Sequence, residues 1–177
     1  MISATSETPA LLEQVDAYRA EANRRLDPQR RSALGQFMTP LPVARFMASL
    51  CGDWNSEEVR LLDAGAGVGS LTAAFVAEIC QRPVHPVSVV STAYELETLL
   101  ADYLDATLEL CQQACTEHAI SFTYNVVRED FIQTGSERLI NDLFSESGEK
   151  PLFTHAILNP PYSCYYSRWA GDSTHPQ

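Results

Sequence analysis

Hydrophobic positions in this chain fall into two rhythms that alternate along its length. From residue 9 to about 26, Leu11, Leu12, Val15, Tyr18, Ala22 and Leu26 recur at helical spacing. Glu13, Asp16, Arg19, Glu21, Arg24 and Arg25 lie on the other face, and Asp27-Pro28 ends the helix. A shorter helical pattern starts at Pro42, with Val43, Phe46, Met47 and Leu50 as its apolar positions and proline in its first turn. Val59-Arg60-Leu61-Leu62 then reads as a strand, and a Gly-rich turn leads into a helix carrying Leu71, Ala74, Phe75 and Ile79. Residues 87–95 read as a second strand. A long helix follows over 96–118, with Leu99, Leu100, Tyr103, Leu104, Leu108, Cys111 and Cys115 facing inward. A third strand is expected at 122–127, a short helix within 134–150, and a fourth strand at 153–158, stopped by Pro160-Pro161. Strands that alternate with helices predict an α/β fold built on a parallel, doubly wound sheet.

Composition narrows the class. A chain of 177 residues, 45% hydrophobic and 20% charged, supports one globular domain with a real core. The net charge is −11, and Lys150 is the only lysine. Proteins that grip a nucleic-acid backbone unaided are usually basic, so this chain is not expected to be the main DNA-gripping surface, although it can still hold a catalytic pocket. No stretch has the length and apolarity of a membrane span, and no signal peptide opens the sequence, so no membrane association is expected. The five cysteines are odd in number and lack CxxC spacing, which fits a reducing cytoplasm. Cys111 and Cys115 lie one helical turn apart without a matching His or Cys pair. They read as helix packing, and no metal site is expected.

The chemistry concentrates at the expected strand ends, where doubly wound sheets gather their ligands. The first strand runs into Asp63-Ala64-Gly65-Ala66-Gly67-Val68-Gly69. Glycines at alternate positions let backbone approach a ligand where a Cβ would clash. This is GxGxG spacing, not the GxGxxG that seats a pyrophosphate, and an acid ahead of it suits a cationic or amino-bearing ligand better than a phosphate. A plain tight turn would need the same glycines. Glu95 ends the second strand, where a carboxylate can accept hydrogen bonds from both ribose hydroxyls. Glu97, two residues on, is the competing residue for this role, its plainer reading being a cap on the next helix; Glu95 is the favoured one. Asp130-Phe131 follows the third strand: an acid for an exocyclic amine and a ring for an adenine face, or merely a surface acid and a core Phe. The fourth strand ends in Asn159-Pro160-Pro161-Tyr162. Two prolines stiffen that turn. The Asn amide oxygen and the Pro160 carbonyl can accept two hydrogen bonds from a planar NH2, and Tyr162 offers a flat face beside it.

Taken together, Gly35-Gln36-Phe37-Met38-Thr39-Pro40, Asp63 to Gly69, Glu95, Asp130-Phe131 and Asn159 to Tyr162 resemble the amino-group DNA methyltransferases that act on adenine N6. The order of segments is similar to the gamma group, which includes Eco57I-like enzymes and the modification subunits of type I restriction systems. The resemblance spans residues 34–162. It implies a Rossmann-like fold that binds S-adenosylmethionine (SAM), preceded by a helical segment at 1–33 and followed by an irregular tail at 163–177. Phe37, Thr39 and Pro40 would flank the methionine end of SAM. Asp63, Ala64, Gly65, Gly67, Gly69 and Leu71 would form the loop beneath it. Glu95 would hold the ribose, and Asp130 with Phe131 the adenine. Asn159 would border the cofactor and, with Pro160 and Pro161, hold the target amine, while Tyr162 would stack on a flipped base. Transfer would be direct and in-line, governed by positioning and electrostatics. The same turn could serve a protein glutamine amide or an RNA base, and a non-catalytic SAM-binding fragment is the third reading.

The resemblance also implies further strands and a recognition region for double-stranded DNA beyond Tyr162, and a restriction or specificity subunit as partner. The tail Ser163 to Gln177 shows neither strand nor helix periodicity. It reads as the end of a truncated or frame-shifted reading frame, so little DNA methylation is expected from residues 1–177 alone.

Overall fold

The computed structural model describes residues 7–29, 37–52, 57–134 and 153–159. In chain order these form α1 (Glu7–Arg25), α2 (Leu41–Leu50), β1 (Glu58–Ala64), α3 (Ser70–Cys80), β2 (Ser88–Tyr94), α4 (Thr98–Glu117), β3 (Ser121–Val127) and β4 (His155–Ala156). The expected fourth-strand run at 153–158 pairs as a strand over only two residues. The short helix expected within 134–150 lies almost entirely outside the described residues, as do Gly35, Gln36, Pro160, Pro161, Tyr162 and the tail.

The four strands make one parallel sheet in the order β3-β2-β1-β4. This is a Rossmann-like α/β sheet, as the alternation of elements predicted. Parallel crossovers are right-handed, so the consecutive steps β1 to β2 to β3 put α3 and α4 on the same face. Strand positions that face them (Val59, Leu61, Val89, Ala93 and Phe122) join α1, α2, α3 and α4 residues in the main core. The α3 helix is buried almost all round, since it lies between the sheet and neighbouring helices. On the opposite face Leu62, Ala64 and Tyr94 form a smaller cluster with Val127, Phe131 and Phe153.

One helix departs from its pattern. In α2, Ala44 and Ala48 are the buried positions, whereas Val43, Phe46 and Leu50 are exposed. Of the apolar positions in the sequence pattern, Met47 is partly buried against the core. Two alanines on one stripe let the helix backbone sit close to the core, and that close approach outweighs the larger side chains. Cys80, Cys111 and Cys115 are buried, and Cys111 and Cys115 pack in the core as expected. Among the described residues no His/Cys/Asp/Glu group is arranged to hold a metal ion, and no helix is long and apolar enough to cross a membrane.

Candidate functional site

The sheet order reverses at β1. The chain steps from β1 through β2 to β3 on one side, then returns to β4 on the other. Such a reversal opens a crevice outside the carboxyl ends of the strands, because the connections on either side diverge. Residues 64–69, 95, 128–131 and 157–159 all stand at these ends.

The loop after β1 is built by glycine. Gly65, Gly67 and Gly69 have φ of 76°, 59° and 84°, a region that costs an L residue about 1–2 kcal/mol. Their surroundings separate their roles. A Cβ on Gly69 would lie 2.9 Å from both Leu104 Cδ1 and Thr107 Cγ2, so this glycine lets α4 close against the loop. Thr107 then donates its hydroxyl to the Val68 carbonyl at 2.7 Å and locks the contact. A Cβ on Gly65 would meet nothing within 4 Å, so the loop there faces open space. The Tyr94 carbonyl accepts from the N–H groups of Gly65 and Ala66 and ties the loop to the end of β2.

Asp63 sits under this loop, not in the crevice. It is fully buried, and its Oδ2 accepts from the Thr72 hydroxyl at 2.7 Å, while the enclosed Oδ1 has no partner. Burial, assisted by the Glu95 carboxylate and opposed by Thr72, pushes its carboxyl up to about 7. The acid that sequence reasoning placed toward a ligand therefore anchors the first turn of α3 through Thr72. Ala64 packs in the small cluster and Leu71 in the main core, so neither presents a side chain to the opening.

Glu95 stands directly after β2 and is 7% exposed. Its Oε2 accepts from the Gly67 N–H at 2.8 Å and its Oε1 from the Glu97 N–H at 2.8 Å. Desolvation raises its pKa, and those backbone donors oppose the rise. Each carboxylate oxygen has two acceptor positions, so one bond to each leaves room for two hydroxyl donors. Glu97 is the residue preceding α4, and its side chain makes no capping bond. Leu96, between the two acids, is 65% exposed. Sequence reasoning passed over it, although an apolar residue beside an acid at a strand tip was a readable signal. Asp130 caps the helical turn 131–134 by accepting the Ile132 N–H at 2.8 Å. Phe131 meets Tyr94 edge-on at 5.0 Å and is half-buried.

The segment 37–40 closes the crevice. Met38 lies 3.8 Å from the Cβ position of Gly67, and Thr39 is buried at 7% exposure. The Asn159 Nδ2 donates to Thr39 Oγ1 at 3.1 Å and reaches the Phe37 carbonyl at 3.5 Å. Pro40 starts α2, its carbonyl accepting from Val43 and Ala44. Phe37 is 64% exposed beside this contact. The expected residues thus come together as two linked groups: Gly67 with Glu95, and Phe37 and Thr39 with Asn159, with Met38 between them.

No family model matches the chain. It is similar to the type II methyltransferase M.PstI of Providencia stuartii, 39% identical over 163 residues, which is 92% of this chain and 31% of that protein. It is also similar to the type II methyltransferase M.BsuBI of Bacillus subtilis, 36% identical over 152 residues, 86% of this chain and 28% of that protein. The chain therefore spans under a third of the length of the curated relatives it matches.

Proposed function

We propose that this chain binds SAM at the ends of β1, β2 and β3 and presents the N6 amine of a DNA adenine to its methyl group, within a restriction-modification setting. The observation that carries this reading is the position of residues 37–40, which touch both the glycine loop and Asn159. The open face of Gly65, the unused acceptor positions of Glu95 and the exposed Leu96 fit a nucleoside with a charged tail. Glu95 takes the ribose hydroxyls, and Leu96, Phe131 and Asp130 border the adenine. Residues 37–40 flank the methionine end. Bound SAM supplies an electrophilic methyl group on a sulfonium. The chain's residues supply position: Asn159 Oδ1 and the Pro160 carbonyl accept from the target amine and orient its lone pair, and Tyr162 stacks on the flipped base. Similarity to two type II methyltransferases supports methyl transfer, and the order of the sequence segments supports adenine as target.

The test is a calorimetric titration of SAM against wild type, Gly67→Val and Glu95→Ala, followed by label transfer to adenine-rich duplex DNA, RNA and a glutamine-containing protein. Wild type should bind, and both variants should bind at least about tenfold more weakly, the equivalent of about 1.4 kcal/mol. Equal binding by all three would remove the site. Where label reaches DNA, Asn159→Ala should keep its SAM affinity and lose about 2.7–4 kcal/mol of transition-state stabilisation, as for a single well-placed polar contact elsewhere. Label in RNA or protein, with none in adenine, would reassign the acceptor.

A further inference from the structure

We infer that Thr39 is a positioning residue for Asn159: its buried hydroxyl holds the Asn159 amide by the nitrogen, so that the amide oxygen is presented to the incoming amine. The inference rests on the acceptor role proposed above and assigns what orients that acceptor.

An Asn side chain can sit in two orientations that differ only in which end is oxygen, and neighbouring groups decide between them. A hydroxyl alone does not decide, because it can donate or accept. The Phe37 carbonyl does, because it can only accept. With Phe37 O at 3.5 Å and Thr39 Oγ1 at 3.1 Å on the same side, the amide must turn its NH2 inward. Reversal would set the amide oxygen against the Phe37 carbonyl oxygen. The Thr39 bond is the shorter one and supplies most of the hold; the Phe37 carbonyl supplies the sense of rotation.

Both partners stand on stiffened backbone. Thr39 precedes Pro40 and Asn159 precedes Pro160, and a residue before proline is biased away from the helical region toward extended backbone. Thr39 is also β-branched, which restricts its χ1, and it is 7% exposed, so water competes poorly for its hydroxyl. The contact joins residues 120 positions apart. Neither segment fixes the amide alone: the expected cofactor segment orients the expected acceptor.

The test follows the Asn159 side-chain amide by nitrogen-15 NMR in the full chain, comparing wild type, Thr39→Val and Thr39→Ser, with SAM affinity measured on the same samples. In Thr39→Val the Asn159 Nδ2 protons should exchange with water about fivefold faster or more, the factor for one net hydrogen bond. Thr39→Ser should restore the slow exchange. SAM affinity, measured beside it because residues 37–40 border the proposed cofactor site, should recover in Thr39→Ser together with the slow exchange, whatever it loses in Thr39→Val. If Thr39→Val disturbs the backbone spectrum, Thr39→Ala carries the same expectation. Unchanged Asn159 exchange in the hydroxyl-free variant overturns the inference, as does failure of serine to restore it. Loss of SAM affinity with an undisturbed Asn159 would make Thr39 a cofactor ligand instead, which also overturns it. Failure of wild type to bind SAM would count against the proposed function, while the amide exchange would still decide this contact.

Discussion

Asp63 is a carboxyl enclosed beneath a loop, and its titration has a definite sign. Its pKa rises from 3.8 to about 7 in the folded chain. Between those values the folded chain keeps a proton that the unfolded chain has released. Stability from this group is therefore full at the acid end and is lost as pH rises to about 7. Glu95 shifts in the same direction and adds to the slope. Asp63→Asn keeps the shape and an oxygen for Thr72 but cannot titrate. Melting temperature measured for both proteins from about pH 4 to 8 should show the variant gaining on wild type as pH rises. A flat or opposite difference curve would mean that the acid is not enclosed as described.

At the scale of the element, the glycine loop separates two functions that look identical in the sequence. Gly65→Ala and Gly69→Ala both place an alanine at positive φ, at about 1–2 kcal/mol each. Only Gly69→Ala also drives a methyl against Leu104 and Thr107, an overpacking of about 1–3 kcal/mol. Urea unfolding should rank Gly69→Ala as the less stable by that margin, whereas Gly65→Ala, whose methyl enters the open face, should weaken SAM binding in a protein of better-preserved stability. Equal stabilities would contradict the packing of α4 on the loop. The alternation of strands and helices was legible because periods of two and 3.6 are local properties of the chain. The inner face of α2 was not, because Ala44 and Ala48 carry little hydrophobic signal and win by letting backbones approach. The contact of Thr39 with Asn159 was equally hidden, since no local pattern links positions so far apart. The burial of Asp63 escaped for a related reason: an acid at a strand tip reads as exposed until Thr72, nine residues on, is seen to donate its hydroxyl to it inside the core.

For the molecule as a whole, charge and topology point in different directions. The sheet reversal opens a crevice of the kind that takes a small molecule, whereas a net charge of −11 opposes a polyphosphate. Fluorescence anisotropy of a labelled duplex at about 150 mM salt should show no binding by this chain in the 10⁻⁴–10⁻⁶ M range of ordinary non-specific binders. Binding that weakens steeply with salt would reveal a cationic surface that the composition conceals. Under the proposed function, the grip on DNA comes from elsewhere than residues 1–177.

The two-residue β4 also sets an order of assembly. β1, β2 and β3 pair at short sequence separations through their intervening helices. β4 reaches β1 only across 94 residues, through the Arg60 and Thr154 backbone and hydroxyl bonds and the Ile157 N–H donated to Leu62. Closing a long loop costs entropy before its contacts compensate for it, and a strand this short returns little. The glycine loop and Glu95 should thus come into register early, and the arm carrying Asn159 should dock last and open first, as amide exchange of Ile157 against that of Val89 would show. Under the proposed function, the pocket should mature in two stages, the cofactor side before the acceptor side.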